Sequence, residues 1–344
     1  MSWLVLTGVN GFIGHNLALE LLFPSGETSA PKVDFVLGID LPKSEGRPTH
    51  TRLAGVPNYH YSSGLDAVSA IAERTAAWGE PPLAVIHNGA CSSTAVTDPK
   101  IFQVQNVEAS QNLFRYCAQH KIPFLYASSA SVYGSGGQGF SDDFEDHEKY
   151  SPLNAYGRSK HEFDSWVIDQ KERPPVWFGM RYFNVFGPFE AHKFGQASIF
   201  QWGRHQILAC GRLQLFESHQ HGLANGHQKR DFVSVFDVAK VTWKLLKLAL
   251  DGVSLPHNGR FVNVGRGEAV TWLDIGGALF DALKRPTAFD FIPMPEQLRA
   301  HYQNFTQADV NSLRELGLPV PFMSLQRAFE KAIAAEAEAQ TPTL

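Results

Sequence analysis

Cysteine is scarce: three in 344 residues, at Cys91, Cys117 and Cys210. An odd number with no CxxC spacing excludes a disulfide scaffold and a zinc knuckle, and a reducing compartment is the simpler setting. An excess of positive charge is also missing. Thirty Lys+Arg face 34 Asp+Glu, a formal net charge of −4, with no dense Lys/Arg block. That distribution gives no electrostatic reason to expect nucleic acid or an anionic membrane as partner. No apolar run reaches the ~18 uninterrupted residues that a membrane span needs. The N-terminal MSWLVLTGVNGFIGHNLALELLF imitates a signal peptide, yet it lacks a basic start and contains Asn10, His15, Asn16 and Glu20. A cytoplasmic protein is therefore expected. What is present is core-forming material, 44% hydrophobic against 19% charged residues. That suits roughly two domains of about 150 residues each and excludes general disorder.

Short apolar β-type runs alternate with helical patterns through the first half, the reading of a parallel sheet with crossover helices. Strands are expected at Trp3–Thr7, Val33–Ile39, Leu83–His87, Pro123–Ser128 and Val176–Tyr182, with helices near Phe12–Phe23, Leu65–Trp78, Pro99–Gln119 and Ala155–Gln170. After Asn184 the rhythm changes. Glu217–Lys229 (ESHQHGLANGHQK) reads as a long polar loop, followed by strand Asp231–Val235, helix Phe236–Leu250, strand Arg260–Val264 and helices Thr271–Leu283 and Met323–Glu338. The fold class is α/β: a doubly wound parallel, Rossmann-type sheet with a smaller interleaved α/β substrate-binding domain. Residues 1–182 and 231–264 are assigned to the dinucleotide-binding part and 183–230 and 265–344 to the other. The tail AIAAEAEAQTPTL is compositionally biased and expected to fray.

Gly8, Gly11 and Gly14 form a GxxGxxG run between the first strand and its helix. Glycines there permit a tight turn and let a pyrophosphate approach backbone N–H groups at the positive end of a helix dipole. Asp40 closes the second strand, where a carboxylate accepts hydrogen bonds from an adenosine ribose. Asp40 favours the free 2′-hydroxyl of NAD, whereas Lys43 and Arg47 could neutralise the 2′-phosphate of NADP, so both cofactors stay open. Asn88, Gly89 and Ala90 end another strand in a small-residue turn where backbone can border the cofactor. Tyr156 and Lys160 stand four apart, on one face of a helix. A tyrosine titrates near pH 10, and an adjacent ammonium stabilises the phenolate that a base near neutrality requires. Ser129, just past a strand end, can hydrogen-bond the reacting oxygen.

The set GxxGxxG, Ser129, Tyr156 and Lys160 resembles the extended short-chain dehydrogenase/reductase superfamily, whose members mostly act on nucleotide sugars. Finer motifs resemble its ADP-L-glycero-D-manno-heptose 6-epimerases: Gly89-Ala90-Cys91-Ser92-Ser93-Thr94, Arg181-Tyr182-Phe183-Asn184-Val185, His192-Lys193, Lys229-Arg230-Asp231-Phe232-Val233 and Tyr302-Gln303-Asn304-Phe305-Thr306-Gln307-Ala308-Asp309. The resemblance covers the first strand to about residue 333. It implies an isomerase that inverts C6 of the heptose by transient oxidation to a ketone and re-reduction on the other face, with NADP or NAD tightly bound. Tyr156 would be one acid/base and Lys193 the other, with Lys160 tuning the tyrosine and Ser129 assisting. Cofactor contacts are implied at Gly8, Gly11, Phe12, Ile13, Gly14, Asp40, Lys43, Asn88, Gly89, Ala90, Asn106 and Val185, besides Tyr156 and Lys160. Substrate contacts are implied at Ser92, Asn184, His192, Phe216 and Glu217, with Arg230 and Tyr302 on the ADP portion of the nucleotide sugar. A homo-oligomer serving lipopolysaccharide core synthesis is implied as well.

Departures from that pattern are Asn88 where the family commonly has Glu, the Phe194-Gly195-Gln196 stretch, Trp202 in place of His, and the longer 217–229 loop. They bear on the sugar nucleotide more than on the cofactor, and another nucleotide-sugar epimerase or reductase, such as a 4-epimerase, is the alternative. Dehydratases of this type carry Asp-Glu after the catalytic Ser or Thr, where this chain has Ala130 and Ser131, so elimination is disfavoured. A cofactor-sensing protein without catalysis would usually lack the Tyr or Lys. His219, His221 and His227 share the loop without a nearby Cys or paired carboxylate, so no metal is expected. Nothing beside Cys91 in sequence would activate its thiol, which reads as a small buried residue.

Overall fold

The computed structural model describes residues 1–24, 30–93, 96, 98–299, 302–318 and 322–340. Thr94 of the GACSST motif and residues 341–344 of the tail lie outside the described residues. Twelve strands occur among them: β1 (Trp3–Thr7), β2 (Phe35–Asp40), β3 (Tyr59–Ser63), β4 (Ala84–His87), β5 (Phe124–Ser129), β6 (Trp177–Tyr182), β7 (Asn184–Phe186), β8 (Leu213–Phe216), β9 (Lys229–Ser234), β10 (Gly259–Val264), β11 (Ala269–Thr271) and β12 (Phe289–Ile292). Seven form one sheet in the order β10-β6-β5-β4-β1-β2-β3. The pairings β1–β2, β1–β4, β2–β3, β4–β5 and β5–β6 are all parallel. This is the Rossmann-type sheet. Its inner strands are near-continuous apolar runs because helices cover both faces, and every residue of β1 and β4 is buried.

By its contacts the chain divides into two compact units. The first comprises Met1–Val132, Asp142–Tyr182 and Ala239–Val262, and the second Tyr133–Ser141, Phe183–Val238 and Asn263–Leu344. Residues 133–141, 231–238 and 263–264, read from the sequence into the dinucleotide-binding part, cluster with the second unit. The reason for 231–234 is strand pairing: β9 lies between β7 and β11 in a three-stranded sheet.

The first unit's core gathers Trp3, Val5, Leu37, Val85, Phe114, Phe124, Tyr126, Phe163, Trp177 and Phe261. Phe114 meets Phe124 edge-on at 5.7 Å between centroids, a geometry that adds to area burial. Helix Ala67–Trp78 is capped by the Asp66 side chain and ended by Gly79 in the left-handed conformation. The helix expected over Pro99–Gln119 is present with an interruption: Pro99–Phe102 and Ala109–His120 flank a π-helical turn at Gln103–Glu108. In the second unit Phe329 lies between Phe186 and Phe200, at 4.6 and 6.1 Å. Helix Trp272–Ala282 begins with a capping box of Thr271 and Asp274. β8 and β12 form a separate parallel pair. Against the expectation of a fraying tail, residues up to Gln340 continue the helix Leu325–Gln340, its buried face including Ala328, Phe329 and Ala332.

Candidate functional site

Thr7, Asp40, Asn88 and Ser129 stand at or just past the carboxyl ends of β1, β2, β4 and β5, four adjacent parallel strands. The strand order reverses between β1 and β4, where open α/β sheets bind ligands. The glycine turn fills that point. Gly8 has φ +69°, its N–H donates to the Ile39 carbonyl at 2.8 Å, and a Cβ there would lie 2.7 Å from the Asn88 carbonyl carbon. A Cβ on Gly14 would be driven onto the Gly8 carbonyl oxygen. Helix Phe12–Leu22 therefore starts directly on the turn, with no side-chain cap at Gly11 and no acidic residue in its first turn. No acidic residue of the helix itself competes for its positive end, which fits a dinucleotide's diphosphate. The Phe12 side chain is buried in the core while Ile13 is half-buried, so backbone is what Phe12 can offer a ligand.

Asn10 fastens the turn to the segment after β2. Its amide nitrogen donates to the Ser44 hydroxyl at 2.9 Å, and its carbonyl accepts from the Thr49 hydroxyl at 2.8 Å. The half-buried Asp40 carboxylate takes the N–H groups of Asn10 and Leu41 at 2.8 and 2.7 Å, which orients it across the turn with lone pairs to spare for a ribose. Lys43 is exposed. Arg47 rather than Lys43 reaches the turn, its guanidinium 3.4 Å from the Asn10 carbonyl.

Behind β4 runs a chain of hydrogen bonds. His87 joins the Thr7 hydroxyl at 2.6 Å and the Ser110 hydroxyl at 2.9 Å, and the Gly89 N–H donates to Thr7 Oγ1 at 3.0 Å. Burial, with Lys160 adding to it, lowers the His87 pKa to about 3, so the ring is neutral. Asn106, in the π-helical turn, has its amide committed to protein: Oδ1 accepts from Cys91 N–H at 2.7 Å, and Nδ2 donates to the Cys91 carbonyl at 3.0 Å and Ser159 Oγ at 2.9 Å. It fixes the turn after β4 onto the helix bearing Tyr156, so its side chain has little left to give a cofactor. Asn88 accepts from the Tyr182 hydroxyl at 3.3 Å, and its buried Nδ2 has no partner among the described residues. An orphaned donor at a strand end fits an oxygen-rich ligand such as a dinucleotide. Ala90 is half-buried and Ser92 is exposed.

Tyr156 and Lys160 lie in helix Ala155–Asp169, whose cap Asn154 accepts the Gly157 N–H at 2.7 Å. A Cβ on Gly157 would stand 2.8 Å from the Ser131 carbonyl, so glycine lets the helix start pack against the segment following Ser129. The Ser129 hydroxyl accepts from Ser131 N–H at 3.2 Å. Lys160 is 4% exposed and donates to the Ala127 carbonyl at 2.8 Å. Burial lowers its pKa to about 8, against the pull of Asp164 and Cys91. The tyrosine departs from expectation. Burial raises its pKa, the Ser129 hydroxyl offsets part of that, and Cys91 and Asp164 add to the rise. The ammonium expected to lower it is engaged by Ala127. The protein chain alone thus keeps the phenol protonated.

In the second unit Asn184 donates through Nδ2 to the Asp231 carbonyl at 3.0 Å and to Thr306 Oγ1 at 3.2 Å, so its amide hydrogens serve the fold. Val185 pairs with Val233 in the β7–β9 ladder. His192 is half-buried. Lys193 pairs at 2.8 Å with Glu190, a fully buried carboxylate that also accepts the Ser198 N–H at 2.9 Å and the Ser198 hydroxyl. Sequence reasoning missed Glu190; the i,i+3 spacing to Lys193 is its only signal. Phe216 ends β8, and the Glu217 N–H donates to the Ile292 carbonyl at 2.9 Å.

Arg230 and Tyr302 are brought together. The guanidinium lies 4.8 Å over the tyrosine ring, and the Tyr302 hydroxyl accepts from Trp272 Nε1 at 2.9 Å. Arg230 is 6% exposed, burial lowers its pKa, and no carboxylate pairs with it among the described residues. Its neighbour Asp231 faces elsewhere, accepting the N–H groups of Arg266, Gly267 and Ala308 at 2.7, 2.9 and 3.0 Å. A buried guanidinium with no carboxylate suits a bidentate anion such as phosphate. Trp272, its anchor through Tyr302, was also missed.

Residues 4–265 match the NAD dependent epimerase/dehydratase family. The chain is 39% identical over 251 residues, 71% of its length and 74% of the relative's, to the ADP-L-glycero-D-manno-heptose-6-epimerase of Fusobacterium nucleatum. It is 36% identical over 325 residues, 94% of each chain, to the protein of the same name from Nitratidesulfovibrio vulgaris. Its fold is similar to the crystal structure of the Helicobacter pylori ADP-L-glycero-D-manno-heptose-6-epimerase, with a TM-score of 0.73 at 24% identity, covering 97% of this chain and 96% of that one.

Proposed function

The chain belongs to the NAD dependent epimerase/dehydratase family, and we propose that within it this protein is an isomerase inverting C6 of an ADP-glycero-manno-heptose. The observation that carries the sugar is the 36% identity, over 94% of both chains, to a relative named for that reaction. The chemistry is supported by Ser129, Tyr156 and Lys160 gathered past the carboxyl ends of strands that also present the glycine turn and Asp40. When bound, NAD supplies a reversible acceptor for the hydride.

The chain's residues divide the remaining work. Backbone at Gly8 to Gly14, with Asp40 on the adenosine ribose and the Asn88 Nδ2 donor, holds the cofactor in this reading. The Asp40 carboxylate repels a 2′-phosphate, which favours NAD, while Arg47 beside the turn is the group that would accommodate NADP. Tyr156 Oη, once ionised, handles the C6 hydroxyl proton when hydride moves on one face of the sugar, and Lys193 handles it when hydride moves on the other. Lys160 holds positive charge near the phenol, and Ser129 hydrogen-bonds the reacting oxygen. Lys193, held by Glu190 at 2.8 Å, is the second proton carrier, and Arg230 on Tyr302 takes the ADP phosphates. The protein is expected in the cytoplasm, consistent with its free cysteines, as a homo-oligomer.

Incubation with ADP-D-glycero-D-manno-heptose, with C6 configuration followed by NMR, tests this reading. Interconversion of the two epimers is expected, and none with cofactor bound rejects the assignment. Nucleotide released on denaturation distinguishes NAD from NADP. Because Asn88 and Trp202 depart from the epimerase pattern, a UDP-sugar 4-epimerase assay run in parallel examines the alternative.

A further inference from the structure

Helix Ala155–Asp169 carries a third polar residue on the stripe of Tyr156 and Lys160. Asp164 follows Lys160 by four residues, is fully buried, and has no part in the chemistry above. Its carboxylate takes three donors from the sheet. The Tyr126 hydroxyl donates to Oδ1 at 2.9 Å, the Ser128 hydroxyl to Oδ2 at 2.9 Å, and Arg181 Nε to Oδ2 at 3.2 Å. Tyr126 and Ser128 flank Ala127, whose carbonyl receives the Lys160 ammonium at 2.8 Å. Arg181 is itself held, its Nη2 2.9 Å from His147 Nδ1 and its guanidinium 4.1 Å over the Phe261 ring. One carboxylate therefore grips β5 on both sides of the peptide that seats Lys160.

We propose that Asp164 is a positioning residue of the catalytic site: through Tyr126 and Ser128 it fixes the Ala127 carbonyl that seats Lys160, and its negative charge keeps that lysine an ammonium. The proposal rests on the catalytic reading of Tyr156 and Lys160. The electrostatic half follows from Coulomb's law at low effective dielectric. Burial drives Lys160 toward neutrality, and Asp164 is the largest influence opposing it. The other titratable groups acting with Lys160 are His87 on β4 and Cys91 in the turn beyond β4, and Tyr156 stands four residues before it on the same helix. Those facing Asp164 are Tyr126 on β5, Arg181 on β6, His147 in the turn His147–Lys149 and, on its own helix, Tyr156, whose pKa it helps to raise. Burial holds His87 and His147 neutral, at about 3 and about 4, so neither changes charge where Lys160 does. Asp164 is then the main charge opposing the effect of burial on the lysine.

Asp164→Asn keeps the shape and removes the charge. In protein labelled with 13Cε-lysine, the Lys160 titration is expected to move down by at least half a pH unit. kcat is expected to fall about tenfold or more with KM within twofold, and its alkaline limb to shift in the same direction as the lysine. Tyr126→Phe removes one strand contact and leaves the Asp164–Arg181 pair; a several-fold loss of kcat is expected without loss of NAD binding. A folded Asp164→Asn protein with unchanged lysine titration and kcat overturns the proposal. Should that variant not fold, unchanged kcat in the folded Tyr126→Phe, Ser128→Ala double variant overturns it. The lysine titration needs no substrate, so an inactive wild type that still shows the shift counts against the assigned reaction and not against the role of Asp164 on Lys160.

Discussion

At position 160 a lysine stays buried because one carbonyl and one distant carboxylate receive it, and at 156 a phenol is raised by burial. Their opposed displacements mean that at neutral pH the chain alone holds both groups protonated, so forming a phenolate depends on the ligand that binds beside them. Tyr156→Phe and Lys193→Met should each lower kcat by about 10²- to 10⁴-fold, the range of a general acid or base. Both should retain bound NAD, which nucleotide released on denaturation measures. Wild-type rates in Lys193→Met would refute the second proton carrier. The tyrosine, the lysine and Ser129 were legible in the sequence because helical spacing and a strand end are local properties. Glu190 was not, since nothing in EAHK distinguishes a lysine paired to a buried acid from a solvated one. Asn106 was expected only as a cofactor contact, and its duty of joining Cys91 to Ser159 was not legible because those partners meet it only through the fold.

Among the elements, the turn between β1 and helix Phe12–Leu22 shows backbone sterics overriding helix propensity. Alanine is the better helix former by up to ~1 kcal/mol, yet at position 14 its methyl would occupy the space of the Gly8 carbonyl oxygen. Gly14→Ala is therefore expected to cost about 1–3 kcal/mol and to weaken NAD binding at least tenfold, read by thermal unfolding and by titration with NAD. A variant with wild-type affinity would mean that the turn can shift without consequence. Strands β1, β4, β5 and β6 were legible as apolar runs because they are buried on both faces. β3 (YHYSS) escaped because it is a polar, half-buried edge of the sheet, and β8 and β12 because their four-residue runs find one another only across about 70 intervening residues. The helix Ile199–Cys210 was overlooked for a different reason. Glycine and polar residues break its periodicity, and a Cβ at Gly203 would sit about 3 Å from the Ile199, Leu213 and Leu279 side chains, a tight fit.

For the whole molecule, three buried titratable groups predict the response to acid. His87 and His147, lowered by burial to about 3 and about 4, bind protons in the unfolded chain near pH 6.5 but not in the folded one. Their contribution is complete above pH 6.5 and is lost as pH falls toward 4, on the order of 3–5 kcal/mol each. Asp231, raised by burial to about 6 against three backbone N–H bonds, has the opposite sign. The folded chain holds its proton more tightly, so stability rises as pH falls from 6 to 4, by on the order of 3 kcal/mol. Two histidines outweigh one aspartate, and the melting temperature should fall between pH 6.5 and 4. A flat or rising melting temperature across that window, followed by calorimetry, would contradict the burial of the two rings. The π-helical turn at Gln103–Glu108 is a device of phase. A residue removed from it would let the segment relax into regular α-helix and swing the downstream residues by about 100°. The Asn106 amide would then point away from Cys91 and Ser159. Chain length over those six residues sets the angle at which two halves of the cofactor side are bolted together, and a substitution, which leaves that length alone, would not reset it.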